Sequence, residues 1–152
     1  MPSETFEKSI IVNRTPQEIY DYLSHPNSFV RLQPLIRGIY NVQESRNMVG
    51  QVMYTYEATE ELFFFGFVKY DNHLYVNMTL ADPGRIILQE VEAPLNVRLK
   101  QLLKFDLRDD GSSQVIDSIE LNAPTGLLGY AVRTAKEAHA SLLQELKARM
   151  EG

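Results

Sequence analysis

Few side chains in this sequence can do acid–base chemistry, and one of them stands inside an apolar stripe. His139 follows Leu128, Val132 and Ala135 and precedes Leu142, Leu146 and Met150. The three- and four-residue steps put all seven on one face of a helix. An imidazole there can give and take protons near neutral pH. It also needs a partner, because an unpaired buried polar group is costly. Three readings stand: a core histidine satisfied by a tyrosine, Asp117 or water; a ligand-facing hydrogen-bonding group; or a general acid/base. Gln101 interrupts the alternation of Val97, Leu99, Leu103 and Phe105, and Asp117 that of Val115, Ile119 and Leu121. If those faces look inward, both residues must pair, with each other or with His139. A one-residue slip would send Asp117 to solvent and Ile116 inside. Tyr54 and Tyr56, with Tyr20, Tyr40 and Tyr75, supply phenols that either line an aromatic pocket or hydrogen-bond within a core.

Other chemistries find no support. Without cysteine there is no disulfide, thiolate nucleophile or cysteine metal ligand. His25, His73 and His139 lack metal-ligand spacing. No Walker A, G-x-G-x-x-G or G-x-S-x-G motif occurs, so no cofactor is expected. Gly126 and Gly129 read as permitting tight packing or a bend rather than cradling a phosphate. Fifteen Lys and Arg against twenty Asp and Glu give a net charge of −5. That field disfavours nucleic acid and anionic membranes as partners. Arg98, Lys100, Lys104 and Arg108 make a basic stripe, but interspersed Asp106 points to a solvated outer face. No apolar run approaches the ~20 residues of a membrane span. The polar start, Met1 to Thr5, is unlike a secretory signal. A cytoplasmic location is the expectation.

These residues must be positioned by strands and helices. Phe6 to Asn13 alternates as a strand. Thr15-Pro16-Gln17-Glu18 has the form of a capping box with proline at the first helical position. The short helix it starts turns Ile19, Tyr20 and Leu23 inward and stops near His25-Pro26. Asn27 is placed to cap a second short helix through Phe29 and Leu32, ending by Pro34. From Ile36 to Ala123 the period is two. Strands are expected at Ile39 to Gln43, Val52 to Ala58, His73 to Ala81, Arg85 to Glu92, Val97 to Leu107 and Val115 to Leu121. Asp82-Pro83-Gly84 and Asp109-Asp110-Gly111-Ser112 supply turns. Leu62-Phe63-Phe64-Phe65-Gly66-Phe67 reads as a buried strand or cavity lid, with a homodimer contact as the alternative. Thr125 to Glu151 closes the chain as one helix of roughly 40 Å. Its stripe is graded: Ala131, Ala135 and Ala138 before His139, then Leu142, Leu143, Leu146 and Met150. The small residues either let the helix approach the sheet or leave a void of the kind that takes an apolar ligand. With 152 residues and 44% hydrophobic composition, one α+β domain over residues 1–152 is expected.

Three stretches together resemble a known superfamily. Ser9-Ile10-Ile11-Val12-Asn13-Arg14-Thr15-Pro16-Gln17-Glu18-Ile19-Tyr20 is similar to its opening strand and first helix. Ser24-His25-Pro26-Asn27-Ser28-Phe29 resembles the segment starting its second helix, and Ala138 to Lys147 its closing helix. This is the START/Bet v 1-like superfamily, also called the SRPBCC or polyketide cyclase/dehydrase group. The resemblance implies a helix-grip: a curved seven-stranded antiparallel sheet around a long C-terminal helix, two short helices after strand 1, and a hydrophobic cavity between. The superfamily shares no catalytic motif, so no catalytic residue is carried over. The implied function is binding of a hydrophobic small molecule such as a lipid, quinone or aromatic polyketide. The residues expected around it are Tyr54, Tyr56, Leu99, Gln101, Leu103, Asp117, Val132, Ala135, His139 and Leu142. The alternatives are a polyketide cyclase or dehydratase using His139 as acid/base, and a co-chaperone-like interaction domain working through Phe63 to Phe67.

Overall fold

The computed structural model describes residues 2–30, 32–64 and 68–152. Seven strands form one curved antiparallel sheet: β1 (Ser3–Val12), β2 (Ile36–Arg46), β3 (Val52–Phe64), β4 (Val68–Asp82), β5 (Ile86–Ala93), β6 (Val97–Leu107) and β7 (Ser113–Asn122). Their order across the sheet is β1-β7-β6-β5-β4-β3-β2. Strands β2 to β7 meander, each paired with the next, and β1 adds beside β7. Helix α1 (Pro16–Leu23) follows β1, and helix α2 (Leu128–Glu151) closes the chain against the concave face. No helix of the described residues is long and apolar enough to cross a membrane.

Local sequence accounts for these boundaries. The Thr15 hydroxyl accepts from the Glu18 N–H, and the Glu18 carboxylate accepts from the Thr15 N–H, each at 3.3 Å. This satisfies donors that the helix itself cannot pair. Ile19, Tyr20 and Leu23 of α1 are buried, as their spacing predicts. The second short helix is a single 3-10 turn, Pro26–Phe29, with no side-chain cap. It begins one residue before Asn27 because Pro26, with φ already fixed, takes the first helical position. The turn after β4 rests on Gly84 at φ +82°, where an added Cβ would also stand 2.6 Å from the Gln17 side-chain oxygen. Helix α2 starts at Leu128 rather than Thr125, because the Pro124 carbonyl accepts from both Leu127 and Leu128 N–H groups and makes a turn there first. Gly126 and Gly129 do not serve tight packing: a Cβ on either would meet open space.

The core lies between α2, α1 and the inner face of the sheet. Phe105, Leu103, Val115, Ile87 and Met78 of the strands pack there with Leu142, Leu143 and Leu146 of α2. The register of β7 puts Val115, Asp117, Ile119 and Leu121 inward together. Arg98, Lys100, Lys104 and Arg108 face outward, where Asp106 lies within 4 Å of both Arg85 and Lys104. Leu62 is buried. The remainder of the Leu62–Phe67 run lies outside the residues whose side chains are described.

Candidate ligand cavity

Four strands and one helix hold a line of buried polar groups across the inner face. The Tyr56 hydroxyl (β3) donates to Gln89 Oε1 (β5) at 2.6 Å, and Gln89 Nε2 lies 3.3 Å from Gln101 Oε1 (β6). Gln101 Nε2 donates to Asp117 Oδ1 (β7) at 2.9 Å, and His139 Nδ1 (α2) donates to Asp117 Oδ2 at 2.7 Å. Register explains the reach. Gln89 is directly opposite Gln101, and Gln101 is opposite Ile119, which makes Asp117 its diagonal neighbour. Gln101 Nε2 also approaches His139 Nδ1 to 3.3 Å. Two donors cannot bond each other, so with Nδ1 protonated and donating to Asp117 this is a contact only. Every donor in the line points toward Asp117, which is fully buried. Burial pushes the Tyr56 phenol up and keeps it a donor. Among the described residues no buried side-chain nitrogen or oxygen is left without a partner.

With Nδ1 committed to Asp117, Nε2 is the ring nitrogen left for the space in front of it. A cavity of about 140 Å³ lies there, between the alanine-lined half of α2 and the sheet. Ala131, Ala135 and Ala138 form its helix wall, and Leu62, Leu74, Leu99 and Leu121 its sheet wall. A second lobe of about 80 Å³ runs toward Phe29, Tyr56, Gln101 and Leu142. Gln33, Glu60, Leu74, Val91, Leu99 and His139 border both lobes and form the shared boundary, or waist, between them. At the outer rim Leu95 is 68% exposed, in a turn where Leu95 and Asn96 take φ near +63° and +64°. Left-handed backbone at two non-glycine residues stores roughly 1–2 kcal/mol each, a strain that tends to collect at ligand sites.

Of the residues expected around a ligand, Tyr56, Leu99, Gln101, Ala135, His139 and Leu142 line the two lobes. Asp117 stands behind His139 and orients it. Leu103 is sealed in the core, Val132 is buried away from both lobes, and Tyr54 packs against the core edge. Burial raises the Tyr54 phenol, helped by its hydrogen bond to Glu44.

The structure adds residues that the sequence reading passed over. Glu60 continues the inward phase of Tyr54, Tyr56 and Ala58 and reaches the waist of the cavity. Its carboxyl is raised by burial, against the opposing pull of the Asn72 amide hydrogen bond and of His139. Asn72 Nδ2 donates to it at 3.3 Å. Gln89 is in phase with Ile87 and Val91, the signal that would have found it. A second constellation lies on the outer face. Tyr40 donates to His73 Nδ1 at 2.8 Å, and His73 Nε2 meets Glu57 at 2.7 Å. Hydrogen bonds from Asn41 and His73 hold Glu57 below the ordinary carboxylate range. Desolvation and the Glu57 charge raise the Tyr40 phenol, so this arrangement does not prepare a phenolate. Among the described residues no three His, Asp or Glu side chains gather as a metal site.

No protein-family model matches the chain, and no curated protein matches it. Solved structures do. The Zhui aromatase/cyclase from a Streptomyces strain is similar over 99% of this chain and 94% of its own, at 12% identity and a TM-score of 0.75. A START superfamily protein from Mycobacterium smegmatis is similar over 97% of both chains, at 14% identity and a TM-score of 0.71. Ara h 8.0201 is similar over 98% of both, at 12% identity and a TM-score of 0.62. At these identities the likeness is one of fold.

Proposed function

We propose that this chain, which has the START/Bet v 1-like helix-grip fold, binds an apolar small molecule between the N-terminal half of α2 and the sheet. The observation that carries this is the two-lobed cavity itself: apolar walls with a few fixed polar groups at one waist. Its size bounds the ligand. An engineered apolar cavity of ~150 Å³ holds one benzene ring, so the main lobe, at about 140 Å³, suits a single ring. The second lobe adds room for a short tail. A ring burying roughly 150–250 Å² gains about 4–6 kcal/mol, which corresponds to a Kd of about 1 mM down to tens of µM. Tighter binding requires filling both lobes. The likeness to an aromatase/cyclase and a START protein supports the same reading. Native mass spectrometry of the purified protein, with NMR titration of ring-bearing and lipid compounds, tests it. Binding should shift the amides of Ala135, Ala138 and Leu99. Absence of any bound species and of any such shift would refute it.

A cyclase or dehydratase is the second reading, and the Asp117–His139 pair favours it. Asp117 fixes the ring and its tautomer, leaving Nε2 to take a proton from a carbon beside a carbonyl and return it to a leaving hydroxyl. His139→Ala should then abolish turnover of a poly-ketone substrate while ligand binding persists. Unchanged turnover in that variant would eliminate the enzymatic role.

A further inference from the structure

Glu60 is the only carboxylate on the wall of either lobe among the described residues, and no lysine or arginine lines them. It borders both lobes, so a ligand in either one meets it. Among the described residues Arg37 and Lys69 both pair with Glu61, the next residue, at 3.3 Å and 3.2 Å. Strand alternation turns Glu61 away from the cavity. The Asn72 amide donates to Glu60 at 3.3 Å. A carboxylate accepts several hydrogen bonds, and Glu60 borders both lobes, so a ligand there can donate to it. Two other polar side chains stand at the waist, Gln33, whose Oε1 accepts from the Leu35 N–H at 2.8 Å, and His139, whose Nε2 in the neutral ring is an acceptor because Nδ1 donates to Asp117.

We infer that Glu60 sets the ligand class: an apolar molecule whose polar group donates a hydrogen bond, a hydroxyl or an amine, with carboxylates such as fatty acids excluded. The inference rests on the binding reading above. A hydroxyl at the waist donates to Glu60 or His139. An ammonium does the same and also supplies the missing positive charge. A carboxylate there meets no lysine or arginine among the described residues, and it faces the Glu60 carboxylate in a space lined mostly by carbon. Such a pair must share a proton or separate.

Benzyl alcohol, benzylamine and benzoate share one ring and differ in the polar group, and each suits the main lobe. NMR titration at neutral pH of the wild type, Glu60→Gln and Glu61→Gln separates the causes. Glu61→Gln removes the same charge from the same strand, on the opposite face. In the wild type and Glu61→Gln, the alcohol and the amine should bind more than tenfold tighter than benzoate. Glu60→Gln should raise benzoate affinity and weaken the amine tenfold or more, with the alcohol changed less than threefold. Benzoate binding as well as the alcohol in the wild type, or equal effects of the two substitutions, would overturn the assignment of Glu60 alone. If none of the three binds any of the proteins, the binding reading falls and this inference with it.

Discussion

Ala135→Leu distinguishes a working void from a close helix contact, because the two give opposite signs. Ala135 is buried on α2, one turn before His139, and lines the main lobe. Leucine adds three carbons. In a void of about 140 Å³ these find room. At ~0.8 kcal/mol per buried methylene the gross gain is roughly 2 kcal/mol. Side-chain ordering offsets roughly 0.5–1 kcal/mol of it. The net expectation is a stabilisation of about 1–2 kcal/mol, or a rise of several degrees in Tm for a chain of this size. Against a close-packed wall the same three carbons force off-rotamer side chains and cost roughly 1–3 kcal/mol. Urea denaturation reads the sign as a shift of midpoint at constant slope. The filled lobe should also lose its affinity for single-ring ligands. A destabilised variant with unchanged slope, or a stabilised one that still binds as the wild type does, would refute the assignment of this space as the ligand site.

Asp117→Ala strips the acceptor from Gln101 and His139 together and should cost roughly 3–5 kcal/mol by denaturant titration. Thr15→Ala removes half of the capping box and should cost about 1 kcal/mol, with Tm lowered by roughly 2–4 °C. Glu60→Gln should change the pH profile of stability. Because burial raises the folded carboxyl above its ordinary 4.5, the unfolded chain ionises first as pH rises, and folding stability falls from there up to the folded value. The variant lacks this fall, so its Tm advantage should be absent below about pH 4 and grow as pH rises above the ordinary 4.5; an advantage constant with pH would contradict the raised carboxyl.

Directions were legible in the sequence and depths were not. Alternation told which side of each strand faces inward, so Gln101 and Asp117 could be paired with His139 before any coordinates. It could not tell whether Ala131, Ala135 and Ala138 meet the sheet or stand off from it, because periodicity fixes an angle around the helix axis and not a distance from it. Glu60 was missed although it stands in phase with Tyr56 and Ala58. An acidic residue two places beyond an apolar run looks like the end of the buried segment, and only the cavity beside it gives it a reason to face inward. The helix starts were misplaced for a local reason. Pro26 and Pro124 both reset the backbone, one by opening a 3-10 turn early and one by holding two N–H groups in a turn before Leu128.

The polar line from Tyr56 to His139 is hard to explain as a device for stability. A buried pair such as Asp117–His139 costs several kcal/mol in desolvation, and apolar residues of like volume commonly do as well or better. Hydrophobic side chains at Gln89, Gln101 and Asp117 would extend a core that already holds Phe105, Leu103 and Val115. The network instead fixes one object. Tyr56 donates to Gln89, Gln89 to Gln101 and Gln101 to Asp117, and Asp117 fixes the plane and tautomer of the imidazole that borders both lobes. Strands β3, β5, β6 and β7 thus act together on the orientation of His139 Nε2, a degree of precision that packing against the alanines of α2 would not supply. The inner face of the sheet is organised around what stands in front of that nitrogen.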